Sequence, residues 1–345
     1  MKYLELSVVI PTHNRKELLR EELLSLSNPK LFDTQMEVIV VVDGGSDGTW
    51  EMLQELSLPY TLRPINQLQS GPSVARNNGA RAAKGDVLIF LDDDLLPKQE
   101  LIDEHMAFHF QDPHAVVLGR LLPADKGDKG GWNVWEEQIL EKHYKAMSSG
   151  HRPPAGRRLY SGNFSVRKQA FLDAGGFDEE LKRGEDVDLG FRLEEAGNKF
   201  HFNSEAAAIH RGYRSFASWC KSSYLYGRCD VELALNRGHK KEIAEVMRWY
   251  HRKPFFARRA ISLSAGRPAI VNAMTQALHK VSGMLTKMRL KKLARYGYSA
   301  IYQLQYWHGV TEALGGRQTF FQYLQLWRTN ELVPMEGKPE VSYEK

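Results

Sequence analysis

The chain has 345 residues, 42% hydrophobic and 26% charged, which is typical of a globular protein with its own core. No run of 18 apolar residues occurs and there are only two cysteines, so we expect neither a membrane-spanning helix nor a disulfide framework, and a cytoplasmic protein. The net charge of +5 hides an asymmetry: residues 211–328 contain 21 Lys and Arg against 5 Asp and Glu, which leaves −11 for the rest. The basic part predicts contact with something anionic: lipid head groups, a phosphorylated acceptor or nucleic acid.

The first third of the chain alternates strands with helices. Apolar runs at Leu6–Ile10 and Glu37–Val42 predict two buried parallel strands, each followed by a turn and a helix. The spacing of Asn14 and Glu17 predicts a capping box for the first helix. The turn 43–48 contains three glycines, which let the backbone approach a ligand closely.

A third buried strand, Val87–Leu91, runs directly into Asp92, Asp93 and Asp94. In an open α/β sheet, ligands bind beyond the carboxyl ends of the strands, so these carboxylates stand where a ligand is expected. Three adjacent carboxylates repel one another, and a fold tolerates them best where a divalent cation neutralises them. The alternation of strands and helices predicts an α/β fold with a doubly wound, mostly parallel sheet and helices on both faces.

Seven short motifs follow one another along residues 4–215. They are Pro11-Thr12-His13-Asn14-Arg15, Asp43 with its Gly-Gly-Ser turn, Ser73-Val74-Ala75-Arg76-Asn77, Phe90-Leu91-Asp92-Asp93-Asp94, Tyr160 to Arg167, Gly175-Gly176-Phe177-Asp178 and Gly184-Glu185-Asp186-Val187-Asp188-Leu189. The ordered set resembles family 2 glycosyltransferases of the GT-A fold. One position departs from the family pattern: Ser46 is followed directly by Asp47, and no role is assigned to Asp47.

The resemblance implies an enzyme that transfers a sugar from a nucleotide-diphosphate sugar, UDP-linked in our interpretation, to a hydroxyl acceptor with inversion. It implies Mn²⁺ or Mg²⁺ as cofactor, held by Asp92 and Asp94, because such ions accept one or two carboxylates plus phosphate oxygens. His210, which ends an apolar strand, is a third candidate ligand, and a structural histidine is the alternative there. Asp43 is expected to contact the base. The predicted nucleotide-sugar site consists of Pro11, Thr12, Asn14, Arg15, Asp43, Ser46, Gly71, Arg76, Asp92 and Asp93.

A hydroxyl acceptor is a poor nucleophile, so a carboxylate should accept its proton in the transition state. We assign Asp186 as this base, with Glu185 contacting the acceptor or the donor sugar; a helix-capping acid is the alternative for Asp186. Loops over the carboxyl edge usually set specificity, and aromatic rings stack on sugars. The predicted acceptor site is therefore Trp132, Trp135, Gly162, Asn163 and Glu185. Both tryptophans could instead serve only to pack the helix that they begin.

Three other functions fit parts of the pattern. A retaining enzyme on the same fold leaves Asp186 without a base role, and the product anomer distinguishes it. A nucleotidyltransferase usually has a glycine-rich loop with a basic residue after its first strand, where this chain has Pro11-Thr12-His13-Asn14. A non-catalytic sugar-binding relative is expected to have lost Asp94 or Asp186, and both are present.

We divide the chain into a catalytic domain at 1–215, a basic helical region at 216–330 and a flexible tail at 331–345. Within the catalytic domain, about 1–120 binds the nucleotide sugar and 121–215 the acceptor. Predicted helices of the second region cover 215–227, 240–251, 270–292 and 296–314.

The basic residues of this helical region predict peripheral contact with an anionic membrane at the cytoplasmic face. A solvated face or a homodimer contact is the alternative. No nucleic-acid partner is expected, because no reader motif accompanies the charge. The basic cluster consists of Lys287, Arg289, Lys291, Lys292 and Arg295.

Overall fold

A computed structural model describes residues 4–26, 35–124, 129–181, 183–236 and 241–329. The chain divides into two compact units. Unit 1 comprises 1–127 and 137–212, and unit 2 comprises 128–136 and 213–345. The predicted boundary at residue 215 stays a prediction; within the predicted first domain, 128–136 belong to unit 2. The predicted tail, 331–345, lies outside the described residues.

Unit 1 is built on a β-sheet with helices on both of its faces. Successive residues of the first strand face opposite sides: Val8 and Ile10 join a core with Leu19, while Val9 joins a second core with Ala75. Burial on both faces explains why the first strands are continuous apolar runs. The elements are, in chain order, β1 (Leu6–Thr12), α1 (Lys16–Ser25), β2 (Met36–Asp43), α2 (Thr49–Glu55), β3 (Thr61–Gln67), α3 (Pro72–Ala82), β4 (Val87–Leu91), β5 (Leu95–Pro97), α4 (Leu101–Gln111), β6 (Ala115–Pro123), α5 (Gly131–Ser148), a 3₁₀ turn (Gly156–Arg158), β7 (Asn163–Arg167), α6 (Lys168–Asp173), α7 (Glu185–Glu195) and β8 (Lys199–His210).

The described strands form one eight-stranded sheet in the order β3-β2-β1-β4-β7-β6-β8-β5. The half from β3 to β4 is entirely parallel. In the other half, β7 runs antiparallel to both β4 and β6, and β5 runs antiparallel to β8. The predicted α/β fold class is confirmed. The predicted parallel sheet is found from β3 to β4, whereas the other half of the sheet contains both parallel and antiparallel pairs.

The strand register gathers the predicted site at one edge of the sheet. Thr12 pairs with Val42 and Asp43 pairs with Gln67, so the carboxyl ends of β1, β2 and β3 are level. Because β7 is antiparallel, its amino end lies at the same edge as the carboxyl end of β4. The N–H of Asp92 accordingly donates to the carbonyl of Gly162 at 3.1 Å.

Unit 2 is helical in its described part, and its core includes Trp307, Val310 and Phe320. The predicted helix over 270–292 ends earlier than expected, and a new helix starts after a three-residue turn. In the parts of the chain that the structure describes, no helix has both the length and the apolarity needed to cross a bilayer. Cys220 and Cys229 form no disulfide. The helices are α8 (Phe216–Asn236), α9 (Lys241–His251), α10 (Phe255–Ser264), α11 (Pro268–Lys287), α12 (Lys291–Ala313) and α13 (Arg317–Arg328).

Candidate active site

The acidic triplet lies at the carboxyl end of β4, and its carboxylates have different partners. Asp93 and Asp94 are buried. The Nη1 of Arg15 donates to Asp93 Oδ1 and to Asp94 Oδ2, each at 2.8 Å. Asp92 is more exposed, and its Oδ1 accepts a 2.5 Å hydrogen bond from Nη2 of Arg76. Two of the predicted donor-site arginines therefore contact the triplet directly.

The negative charge of the triplet is only partly neutralised by these arginines. Burial of its carboxyl raises the pKa of Asp93 to about 6. Arg15 acts in the opposite direction, and the charges of Asp94 and Asp92 add to the increase. Like charges in a buried site disfavour ionisation. This edge of the sheet can therefore accommodate a further positive charge.

Arg76 is a buried cation between two carboxylates. It belongs to α3 and is 5% exposed. Its Nη1 lies 3.8 Å from Glu185 Oε1, and its guanidinium carbon lies 5.6 Å from the ring centre of Phe177. Its buried Nε and Nη1 make no hydrogen bond within the protein. Since buried polar groups are nearly always hydrogen-bonded, these two donors have capacity left for an anionic ligand.

Asp94 and His210 are the side chains best placed to hold a metal ion. His210 Nε2 lies 3.6 Å from Asp94 Oδ1, a buried oxygen that makes no hydrogen bond. Among the described residues, no three His, Cys, Asp or Glu side chains converge as a complete metal shell. Mg²⁺, however, usually takes only one or two carboxylates and completes its shell with phosphate oxygens and water. The carboxylate and imidazole therefore fit Mn²⁺ or Mg²⁺, while Asp92 is paired with Arg76 instead.

Two glycines pack directly against these carboxylates. A Cβ on Gly212 would lie 2.3 Å from Asp94 Oδ2, and one on Gly162 would lie 2.6 Å from Asp92 Oδ2. Both distances are too short for any real Cβ, so a side chain at either position would displace the carboxylate. Gly162 was predicted as an acceptor residue, and the structure puts it beside Asp92. Gly212 was not predicted, because a glycine two residues after a strand carries no signal of its own.

Asp43 organises the loop that leads into α3. Its Oδ1 accepts hydrogen bonds from Gln67 Nε2 at 2.8 Å and from the N–H of Ser70 at 2.7 Å, and its Oδ2 accepts from the N–H of Gly71 at 2.8 Å. A carboxylate offers about four lone-pair sites, so three are used and one is left for a ligand. Gly71 itself has φ of 99° and precedes the first turn of α3. At this position the left-handed backbone explains the glycine, since a Cβ there would meet nothing within 4 Å.

The predicted capping box of Asn14 and Glu17 is wrong. Arg15 occupies the N-cap of α1, and no side chain caps it from that position. Asn14 has φ of 52°, and its Oδ1 accepts a 2.9 Å hydrogen bond from the N–H of Ser46. Its carboxamide therefore ties the two predicted donor-site turns to each other. The local pattern missed this because the partner lies 32 residues away.

Asp47, to which no role was assigned, caps two helices. Its Oδ2 accepts from the N–H of Lys16 at 2.9 Å, at the start of α1. Its Oδ1 accepts from the N–H of Thr49 at 3.1 Å, at the start of α2. Carboxylates are stabilising at helix N-termini, so Asp47 fixes the turns that surround the site. Next to these turns, Pro11 and Thr12 end β1 and are buried.

Asp186 and Glu185 occupy the first turn of α7, which Gly184 precedes in a left-handed conformation with φ of 78°. Asp186 is partly exposed. Desolvation of its carboxyl, with a further contribution from Glu185, raises the pKa of Asp186 to about 7. The N–H of Val187 donates to Asp186 Oδ1 at 2.8 Å and opposes the increase. A carboxyl with a pKa near neutrality can exchange a proton with a substrate at physiological pH.

Asn163 does not lie where an acceptor could reach it, which corrects its assignment to the acceptor site. It is fully buried at the start of β7. Its Nδ2 donates to the carbonyl of Ala206 at 2.9 Å, and its Oδ1 lies 2.9 Å from Nε2 of His105. The same network reaches Ser165 through the other nitrogen of His105. Asn163 therefore connects β7 to β8, across the intervening β6, and to α4 through His105.

Trp132 and Trp135 belong to the part of α5 that counts with unit 2. The indole N–H of Trp132 donates to the carbonyl of Arg214 at 2.8 Å. That of Trp135 donates to Ser299 Oγ at 2.7 Å, and Trp135 is 8% exposed. These contacts agree with the alternative that both tryptophans serve to pack their helix. Acceptor binding by either ring stays a prediction.

Glu22 is a buried acid that the sequence analysis missed. It lies in α1 with no exposed surface, and neither carboxyl oxygen has a hydrogen-bond partner. Burial raises its pKa well above the ordinary range, and the charges of Asp93 and Asp94 add to the increase. A signal was present, because Glu22 shares the apolar stripe with Leu19 and Leu23 at helical spacing. The charge of Arg211 acts in the opposite direction, but burial and the acidic triplet outweigh it.

Comparison with solved structures defines the class of fold. TarS from S. aureus (residues 1–349), solved with UDP-GlcNAc, has a TM-score of 0.53 and 18% identity, over 95% of this chain and 92% of that one. The mannosyltransferase PcManGT from Pyrobaculum calidifontis, solved with GDP-Man and Mn²⁺, has a TM-score of 0.58 and 15% identity, over 90% of this chain and 86% of that one. Unit 1, with its sheet order and its acidic edge, has the GT-A fold of glycosyltransferases.

The family follows from the sequence comparisons. Residues 7–174 match the model of glycosyl transferase family 2, and this part of the chain belongs to that family. A curated relative, the uncharacterized glycosyltransferase YfnE of Bacillus subtilis, is 29% identical in an alignment of 266 positions that covers 63% of this chain and 66% of the relative. Other curated relatives are matched over about half of their own length. The resemblance drawn from the motifs is confirmed.

Proposed function

We propose that this protein is an inverting, metal-dependent glycosyltransferase that moves a sugar from a nucleotide-diphosphate sugar to a hydroxyl acceptor. Family membership and the GT-A fold support glycosyl transfer. One observation carries the donor class: buried Arg76 has two unsatisfied donors at the edge where the acidic triplet lies. A diphosphate has the charge and the oxygen acceptors to satisfy a guanidinium, and Arg recognises phosphate well because its donors form a planar fork.

The proposed metal ion binds next to the diphosphate of the same donor. Asp94 and His210 are proposed to hold Mn²⁺ or Mg²⁺, with Asp92 contributing once Arg76 turns to the diphosphate. When bound, such an ion neutralises the charge that develops on the leaving nucleotide diphosphate. Arg15 keeps Asp93 and Asp94 in fixed positions before the donor arrives. A preorganised site of this kind avoids reorganisation during the reaction.

Asp186 is proposed as the general base. In its ionised form it accepts the proton of the acceptor hydroxyl while that oxygen attacks carbon one of the sugar and the nucleotide diphosphate leaves from the opposite face. Its pKa of about 7 supports this role, because proton transfer is most effective when the pKa lies near the working pH. Glu185, 3.8 Å from Arg76, is placed to contact the donor sugar or the acceptor while Arg76 holds its carboxylate.

The nucleoside is proposed to lie against the ends of β1 and β2, where Pro11 and Thr12 flank the base. Asp43 has one lone-pair site left after holding the loop 67–71, and a base N–H can donate to it. UDP is the favoured nucleotide, since TarS, whose fold is similar, is described in complex with UDP-GlcNAc. The acceptor class is a hydroxyl of a glycan, a lipid-linked glycan or a small molecule.

The proposal is tested by calorimetric titration of UDP, GDP, dTDP and CDP, each with and without Mn²⁺. Tight binding of one nucleotide only when Mn²⁺ is present is expected, and Asp94→Asn should remove the metal dependence. Absence of binding by all four would contradict the donor assignment. Once a donor and acceptor are found, NMR of the product anomer tests the stereochemistry: a retained configuration would exclude Asp186 as the base of a single displacement.

A further inference from the structure

The turn between α11 and α12 forms a surface with an unusual composition. We call residues 280–296 the α11–α12 tip. It includes the last turns of α11, the connecting residues Met288, Arg289 and Leu290, and the first turns of α12. It belongs entirely to unit 2.

The charge of the tip has one sign only. From residue 246 to 311 the sequence contains 12 Lys and Arg and no Asp or Glu. Half of these cations fall in the tip, and all six are exposed. Proteins usually intersperse both signs on their surfaces, because a field of one sign repels itself. The six exposed cations are Lys280, Lys287, Arg289, Lys291, Lys292 and Arg295.

The tip also exposes large apolar side chains. Among the described residues, sixteen large hydrophobic side chains are exposed, and six of them lie in the tip. Val281, Met284 and Met288 follow helical spacing along one face at the end of α11. Apolar exposure concentrated in one segment of the chain indicates an interaction surface, whereas scattered single residues do not. The six are Val281 (48%), Met284 (56%), Met288 (59%), Leu290 (42%), Leu293 (51%) and Tyr296 (63%).

Two local rules of helix stability are broken at this turn. Arg289 has φ of 60°, in the left-handed region that a glycine occupies without strain. The N–H of Leu290 donates to the carbonyl of Leu285 and that of Arg289 to the carbonyl of Thr286, so Arg289 stands where helix-ending motifs favour glycine. Lys291 and Lys292 begin α12, where the helix dipole disfavours cations. Sequences break such rules mainly at functional sites.

We infer that the α11–α12 tip docks on an anionic lipid bilayer, with its apolar side chains in the headgroup and acyl boundary and its cations on the lipid phosphates. The two properties together favour this partner. A polyanion such as nucleic acid or an acidic glycan would match the cations and leave the apolar side chains in water, whereas a membrane interface takes both. A second copy of the chain would bring two strongly basic surfaces together, which is electrostatically unfavourable.

The test uses the full chain and sucrose-loaded vesicles of phosphatidylcholine alone or with 30% phosphatidylglycerol. We expect sedimentation with the anionic vesicles only, and a marked loss on raising the salt from 50 to 500 mM, because screening weakens the headgroup attraction. Replacing Lys287, Lys291 and Lys292 by Gln should weaken binding about a hundredfold, at about fivefold for each charge. The matched control replaces three exposed lysines elsewhere: Lys84, Lys142 and Lys221.

A second variant separates insertion from charge alone. Replacing Met284, Met288 and Leu293 by Ser should weaken binding about tenfold or more through the loss of apolar burial. Its matched control replaces exposed leucines of α1, α5 and α6 and should bind like the wild type: Leu24, Leu140 and Leu172.

Three outcomes would overturn the inference. They are no sedimentation with anionic vesicles at 50 mM salt, full binding by the Ser variant, or concentration-dependent self-association that the tip substitutions abolish. Titration of the same variants with nucleotide distinguishes a failure of membrane binding from a failure of the proposed function. The tip variants should bind nucleotide like the wild type, and failure of nucleotide binding in the wild type would refute the donor site while leaving the vesicle result standing.

Discussion

Replacing Arg76 by Gln tests both the stability and the ligand binding of the acidic edge. The change leaves Asp92 and Glu185 without their cation. Breaking a buried ion pair by removing one partner typically costs about 3–5 kcal/mol. Because the Asp92 side chain retains 38% of its exposure, water replaces part of the interaction, and we expect the lower limit, about 3 kcal/mol.

The effect on donor binding comes from the two unsatisfied nitrogens of Arg76. A hydrogen bond that involves a charged group contributes about 1.5–3 kcal/mol. With Nε and Nη1 both lost to the ligand, we expect a decrease of about 3 kcal/mol in binding free energy, or about a hundredfold in Kd. Arg76 also lowers the pKa of Asp186 through its charge, so the acid side of the pH–rate profile should move to higher pH in the variant.

Urea unfolding gives the stability and calorimetric titration with UDP and Mn²⁺ gives the affinity, each at a temperature where the variant is folded by circular dichroism. Arg81→Gln is the matched control. Arg81 lies in the same helix, but its side chain is 59% exposed and its pair with Glu179 is expected to contribute only about 0–1 kcal/mol. If Arg76→Gln bound UDP as tightly as Arg81→Gln, Arg76 would not be a ligand of the diphosphate.

Three further substitutions test neighbouring features. Gly212→Ala should displace Asp94 and weaken Mn²⁺-dependent nucleotide binding with little effect on binding without metal; calorimetry under both conditions decides. Asp186→Asn should reduce transfer about 10²–10⁴-fold, and the wild-type rate should rise with pH up to about 7, because Asp186 must be ionised to act. Glu22 keeps a raised pKa in the folded state, so its contribution favours folding below its ordinary pKa of 4.5 and is lost as the pH rises from there. Glu22→Gln should therefore match the wild type in urea at pH 4 and exceed it at pH 8; equal midpoints at both would show that Glu22 is not buried as described.

Three of the four strands in the parallel half of the sheet could be predicted from the sequence because their signals are local, whereas β3, which is only partly buried, was not predicted. Leu6–Ile10 was predicted and the strand runs to Thr12, and Val87–Leu91 agrees with the structure. Strands buried on both faces read as apolar runs that loops and amphipathic helices do not imitate. The antiparallel placement of β7 between β4 and β6 had no such signal, since pairing between distant strands leaves no local pattern.

The structure brings several of the predicted site residues together, but their contacts could not be predicted from the sequence. The pairing of Arg76 with Asp92, and the position of Glu185 nearby, required the fold to bring α3, β4 and α7 together. Motif order pointed to these residues, but not to which carboxylate each arginine would contact. For Asn163 the motif misled, because a polar residue within a motif can serve the strands below a site as well as the ligand above it.

In unit 2 the helical periodicity predicted four of the six described helices, and it placed the break between α11 and α12 at 293–295, whereas the structure has it at 288–290. No glycine or proline marks that break, and helix ends are usually read from such residues. Arg289 takes the left-handed conformation that a glycine would take without strain. The poor fit of Arg289 to this conformation explains why the turn was placed too late in the sequence, and it agrees with a role for the turn beyond ending the helix.

The acidic edge of the sheet and the α11–α12 tip carry charges of opposite sign. At the edge of the sheet, Asp92, Asp93 and Asp94 outnumber the two arginines that contact them, and the buried acid Glu22 lies within their field. The site therefore has an excess of negative charge, which the proposed metal ion would offset when the proposed diphosphate binds. The α11–α12 tip has the opposite imbalance, with six exposed cations and no acid. Raising the salt should therefore weaken the attraction between the exposed cations of the tip and an anionic membrane, because exposed charges are screened, while the buried carboxylates of the site are screened much less.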